Sequence, residues 1–176
     1  MKYIACPMRV SHSRRDSCVT SAIRIAQGGF LCNISYAYIL EDMAKPKVVA
    51  IDHISLSVRN FKKSKEFYGK LLGFLGFSVF TRRKNYIGWS NKKTRVIIMP
   101  VLSKYKKIKH SKGMVGFHHY GFEMSSRKDV DAVYQFLLKN KYTILDPAGE
   151  YYGGPFYAVF FTDPDGLKLE CMHYPK

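Results

Sequence analysis

Acidic residues are scarce in this chain: 13 Asp and Glu stand against 29 Lys and Arg, giving a formal net charge of +16. Between Glu66 and Glu123 there is no carboxylate side chain at all. Cysteine is sparse as well. Cys6, Cys18, Cys32 and Cys171 show no C-x-x-C spacing, which excludes a disulfide framework and a zinc knuckle and fits a reducing, cytoplasmic compartment. No apolar run reaches the length of a membrane span, so no membrane partner is expected. What is present is apolar residues, at 47% of a 176-residue chain. That excludes general disorder and suffices for one domain or two small, packed halves.

The basic residues are dispersed, and 24 of them lie from Met43 onward against 10 acidic ones. Such a balance fits nucleic acid, an anionic substrate or plain solubility. The densest run, Lys104–Lys112, reads first as a solvated loop and second as an anion grip. No recognition-helix pattern or RNA-binding aromatic motif accompanies it, so a nucleic-acid partner is not expected.

The first 45 residues differ in kind from the rest. Asp16 is the only acidic residue before Glu41, and Arg14, Arg15 and Arg24 sit among serines without clear periodicity. The composition loosely suggests a transit peptide. The favoured reading is that Met43 is the functional start or that this stretch is a dispensable extension. Residues 1–45 are therefore expected to add nothing to the site, and residues 46–176 to form the functional domain.

From Val48 the chain alternates cleanly. Val48–Val58 reads as a strand, with Ile54, Leu56 and Val58 on one face and His53, Ser55 and Ser57 on the other. Asn60 caps a helix with an apolar stripe at Phe67, Tyr68, Leu71 and Leu72. Three short strands follow, over Phe77–Thr81, Tyr86–Ser90 and Arg95–Pro100. The pattern then restarts. His118–Met124 is a strand with His119, Gly121 and Glu123 on its polar face, and Ser126 with Asp129 reads as a capping box. Val130, Val133, Tyr134, Leu137 and Leu138 form the second stripe, and strands follow at Thr143–Leu145, Phe156–Thr162 and Lys168–Met172.

An offset of 66 carries His53 onto His119, Phe67 onto Val133, Tyr68 onto Tyr134 and Leu71 onto Leu137, without a gap. One unit is present twice. The fold class is α+β, with two βαβββ modules at 48–112 and 113–176. Between the last two strands Asp163-Pro164-Asp165-Gly166 reads as a tight turn. Beyond it Glu170 shares a face with Lys168 and Met172. Two histidines and a glutamate on the non-core faces of three strands suit a metal cup.

DHISLSV, FYGKLLGF, FHHYGFEM and FFTDPDGLKLE together resemble the vicinal oxygen chelate superfamily, which unites glyoxalases, bleomycin resistance proteins and extradiol dioxygenases. The resemblance covers Val48 to His173. It implies a concave sheet around a divalent metal held by His53, His119 and Glu170, with Fe(II) or Mn(II) favoured and Zn or Ni possible. It implies a metal-dependent enzyme acting on a small-molecule substrate with adjacent oxygens. It also implies a homodimer in which His53 meets His119 and Glu170 of the partner. Dioxygenase-like chemistry is favoured slightly over lactoylglutathione-lyase-like, isomerase or thiol-transferase chemistry. The strand RVIIMP offers Ile97 or Ile98 where a glyoxalase I would carry a fourth ligand, and this argues against a true lyase. The competing class is a metal-free binding or resistance protein. Tyr157 is a candidate acid or hydrogen-bond donor, and Glu170 is assigned to catalysis as well as to the metal. Ser55, Glu123 and Lys168 are candidate orienting or anion-binding groups. His118 is expected on the opposite face from His119, and His110 and His173 at the surface. Glu150–Pro155 is a flap candidate.

Overall fold

A computed structural model of the chain describes residues 47–175. They form two successive βαβββ units. The first comprises β1 (His53–Val58), α1 (Phe61–Phe74), β2 (Ser78–Arg82), β3 (Ile87–Ser90) and β4 (Arg95–Pro100). A connection with one short 3-10 turn at Ser103–Tyr105 leads to the second. That unit comprises β5 (His119–Glu123), α2 (Arg127–Lys139), β6 (Ile144–Glu150), β7 (Tyr157–Thr162) and β8 (Lys168–His173). The sheets repeat one topology, β1-β4-β3-β2 and β5-β8-β7-β6, so each unit opens with a strand parallel to its own last strand. The α+β duplication is thus the architecture.

Local chemistry explains the helix limits. The Asn60 carboxamide oxygen accepts the Lys63 N–H at 3.1 Å, and the Ser126 hydroxyl accepts the Asp129 N–H at 3.2 Å. After α1, Gly76 takes φ +81°, the left-handed conformation that lets the chain turn back. Three details depart from the sequence reading. Strand pairing starts only at His53, because β4 begins opposite it at Arg95, and Val48, Val49 and Ile51 stay exposed. β6 runs on through Pro147 to Glu150; a sheet edge with register shifts needs no ladder hydrogen bond from a proline. Leu138 is 47% exposed, so the buried stripe of α2 is Val130, Val133 and Leu137.

The two units bury one common core. Leu56, Val58, Trp89, Val96 and Ile98 of the first sheet join Tyr120, Val159, Phe161, Leu169 and Cys171 of the second, with the stripes of both helices. Aromatic pairs cross between the units, Phe67 with Tyr142 at 4.7 Å and Phe74 stacked on Phe136 at 4.4 Å. Two polar contacts add to them, both ending on the Asp163–Gly166 turn. The Tyr68 hydroxyl of α1 donates to Asp163 at 2.9 Å, and Arg59 pairs with Asp165 at 3.0 Å. Because the core occupies one face of each sheet, alternation puts His53, His119 and Glu170 on the other.

Candidate metal centre

His119 and Glu170 come together through strand pairing. β5 lies parallel to β8 with His119 opposite Lys168 and Gly121 opposite Glu170, so the three side chains His119, Lys168 and Glu170 rise from one face. His119 Nε2 stands 3.5 Å from Glu170 Oε2. Two donor atoms each about 2.1 Å from one ion, at tetrahedral to octahedral angles, are about 3.0–3.4 Å apart, so this pair fits two corners of a metal site. Gly121 keeps the space beside Glu170 open: a Cβ there would sit 3.5 Å from the carboxyl carbon. Glu170 is only 8% exposed, and burial raises its pKa, opposed by His119 and Lys168.

His53 stands apart from this pair. At the start of β1 its Nδ1 lies 3.0 Å from Asp52 Oδ2, and the Arg95 guanidinium donates to the same oxygen at 3.0 Å. The hydrogen bond with His53 heads the causes that hold the Asp52 carboxyl below its usual range. Carboxylate contact at Nδ1 leaves Nε2 as the outward donor, the arrangement that suits a metal-binding imidazole. Among the described residues, no three His, Cys, Asp or Glu side chains converge where one ion could be held. The structure therefore brings together two of the three expected ligands and leaves His53 on the corresponding face of the other unit.

The other expected residues divide. Lys168 shares the face of Glu170, with its ammonium 3.9 Å from the Phe160 ring centroid. Glu123 is exposed on the same face of β5, and Ser55 is exposed on the face of His53. Tyr157 needs correction. β7 pairs Phe160 with Glu170 and Tyr157 with His173, which puts Tyr157 on the opposite face from Glu170. There its hydroxyl donates to Asp131 of α2 at 2.7 Å. That hydrogen bond is the first cause of its raised pKa. His118 also departs from expectation. It precedes the first paired residue of β5, escapes strict alternation, and its Nδ1 lies 2.6 Å from that of His119. His110 Nε2 hydrogen-bonds the Phe117 carbonyl and His173 Nδ1 the Met124 carbonyl, at 2.7 and 3.0 Å, and neither joins the pair. In the Glu150–Pro155 segment, Tyr152 and Gly153 both take positive φ, and the Tyr151 ring packs on Phe160 at 5.1 Å.

Sequence reasoning missed several hydrogen-bond partners. Asp52 was legible as the immediate neighbour of His53. Nothing in the sequence announced that Asp163 and Asp165 would receive Tyr68 and Arg59 from the other unit.

Comparison with known proteins agrees with this fold. Residues 50–171 match the sequence profile of the Glyoxalase/Bleomycin resistance protein/Dioxygenase superfamily. The uncharacterized protein YqjT of Bacillus subtilis is 28% identical over 122 residues, spanning 68% of this chain and 95% of that protein. The metallothiol transferase FosB of Staphylococcus haemolyticus is 30% identical over 123 residues, spanning 70% of this chain and 82% of FosB. Among solved structures, a putative glyoxalase from Bacillus halodurans superposes with a TM-score of 0.65 at 26% identity, covering 70% of this chain and 95% of its own. A lactoylglutathione lyase from Agrobacterium tumefaciens shares the fold at a TM-score of 0.54 and 16% identity, covering 73% of this chain and 96% of its own. With a profile matched across most of the chain and both βαβββ units in place, this protein belongs to the glyoxalase/bleomycin resistance protein/dioxygenase superfamily.

Proposed function

We propose that this protein is a divalent-metal-dependent enzyme acting on a small substrate through two adjacent oxygens. The observation that carries the reading is the His119–Glu170 pair, 3.5 Å apart on the non-core face of the second sheet. The equivalent position of the first unit carries His53, with its Nδ1 engaged by Asp52. Two neutral imidazoles and one carboxylate make a facial set that leaves positions open for substrate, suited to Fe(II) or Mn(II) and compatible with Zn or Ni. When bound, such an ion supplies charge stabilisation for a developing enolate, catecholate or alkoxide.

Among the described residues of one chain the set is incomplete, and this supports a homodimer in which His53 of the partner subunit joins His119 and Glu170. Exposed apolar residues flank both first strands: Val48, Val49 and Ile51 before β1, Met114, Val115 and Phe117 before β5. In this assembly they are covered. Glu170 binds the ion, and Asp52 and His118 fix the tautomers of the two imidazoles. Tyr157 has no place in this mechanism because its hydroxyl is held by Asp131 behind the sheet. Dioxygenase-like attack on a catecholate remains the first reaction assigned, since no carboxylate stands on β4 for a fourth ligand. Thiol transfer is the second reading, supported by the 30% identity to a metallothiol transferase. Residues 1–45 lie outside the described residues and are proposed to be dispensable; a chain starting at Met43 is expected to fold and bind metal as the full chain does.

Metal content of anaerobically purified protein, alongside Glu170→Ala, tests the reading. About one ion per chain, lost in the variant, is expected. Absence of metal from both proteins after reconstitution would sink the enzyme and leave a metal-free binding protein. With metal in place, O2 uptake with catechols separates the first reaction from thiol consumption with an electrophile.

A further inference from the structure

Charge on the ligand-bearing face is distributed unequally between the two units. In each, the histidine that opens the first strand stands in register with a cation on the parallel last strand, His53 with Arg95 and His119 with Lys168. The cations have different partners. Arg95 is neutralised by Asp52 at 3.0 Å, and elsewhere Arg59 is taken by Asp165 and Arg127 by Glu150. Lys168 makes no ion pair among the described residues. Glu170, two positions along the same face, turns its carboxylate to His119 instead.

Packing holds the Lys168 ammonium near the sheet. It lies 3.9 Å from the centroid of Phe160, a ring only 2% exposed. A cation on a ring face keeps its outer N–H donors free for a ligand. Gly121, opposite Glu170, adds no side chain that would fill the space beside the carboxylate. The charge sum points the same way. Two neutral imidazoles, one carboxylate and a divalent ion leave one positive charge; Lys168 makes it two. Around the site the whole chain carries +16, a field that draws anions in.

We propose that Lys168 is a specificity-determining residue that binds an oxyanion group of the substrate, a carboxylate or phosphoryl group beside the oxygens directed at the ion. The inference rests on the face of His119 and Glu170 being the ligand site. The competing account is that Lys168 only packs on Phe160 and keeps the strand soluble. That account predicts no ligand selectivity.

The test uses the full-length protein, wild type and Lys168→Met, with inorganic phosphate as the anionic probe and imidazole as the neutral one. With Mn(II) bound, water-proton relaxation reports displacement of bound water by each probe. Losing one charge-assisted contact is expected to weaken phosphate about 10-fold, while imidazole affinity stays within about twofold and Mn(II) affinity does not fall. Lys168→Arg is expected to restore most of the phosphate affinity. Equal phosphate affinity in wild type and Lys168→Met overturns the proposal. If wild type takes up no Mn(II), the proposed metal centre fails, and the anion site is decided separately on metal-free protein. There, amide shifts of Lys168, His119 and Gly121 on phosphate titration, absent in Lys168→Met, support the site. Absence of saturable shifts in wild type overturns it.

Discussion

Replacing Asp163 with alanine removes the one carboxylate that ties the first unit to the turn before β8 from inside the core. Asp163 is 5% exposed. Its Oδ2 accepts the Tyr68 hydroxyl at 2.9 Å, and its Oδ1 accepts the N–H groups of Asp165 and Leu167, both at 2.9 Å. Truncation orphans a hydroxyl on a fully buried tyrosine and two turn N–H groups. A buried polar group left unpaired costs about 1–3 kcal/mol. The Asp165 N–H is only part-buried and can be hydrated, so the expected loss is about 3 kcal/mol, a large share of the ~5–15 kcal/mol available to a domain. The Tyr120 hydroxyl, buried without a hydrogen-bond partner among the described residues and lying beside Tyr68, offers the orphan a fallback acceptor. That makes the figure an upper one. Tyr68→Phe alone is expected to cost about 1.5 kcal/mol, but in the Asp163→Ala background to cost nothing or to recover part of the loss, because it removes a hydroxyl that has already lost its partner. Urea unfolding followed by the single tryptophan, Trp89, 2% exposed in the first sheet, reads the loss from that unit. With a slope of about 2 kcal/mol/M the midpoint should drop by about 1.5 M. A drop under about 0.5 M, or an equal cost of Tyr68→Phe in both backgrounds, would refute the latch.

The same carboxylate sets a pH dependence. Burial outweighs its hydrogen bonds and raises the Asp163 pKa above the usual 3.8. Between 3.8 and that raised value the folded state binds more protons than the unfolded one, so this group adds stability as pH falls through the window. Wild type should therefore gain on Asp163→Asn as acid is added from neutrality; a constant difference in urea midpoint would contradict it. Tyr157→Phe is expected to leave metal binding unchanged and to lower stability by about 0.5–1 kcal/mol, since it removes one exposed hydrogen bond to Asp131. A metal-free Tyr157→Phe protein would return that residue to the site. His53→Ala is expected to cut metal affinity without shifting the urea midpoint by more than about 0.3 M, because an exposed side chain adds little to folding. Unchanged affinity would remove His53 from the ligand set.

The sequence by itself determined the duplication, the two faces of each strand and the residues on them. Alternation is a local property, and the offset of 66 between His53 and His119 repeats it in register. Once β5 and β8 are parallel neighbours, His119 and Glu170 must share a face, and both sequence and structure agree on that pair. Where alternation was ambiguous, the sequence was silent. Both faces of β7 are apolar, Tyr157, Val159 and Phe161 against Ala158 and Phe160, so only the pairing with β8 decided that Tyr157 looks away from Glu170. His118 escaped the period because pairing begins one residue later. The Asp163–Gly166 turn was legible as a turn, but its second role was not: Tyr68 and Arg59 lie 95 and 106 residues away in sequence, and only packing of the two units brings them to it. The separation of His53 from His119 and Glu170 was likewise a tertiary decision. A strand pattern records which face a side chain occupies, while the docking of one sheet against another decides which faces meet.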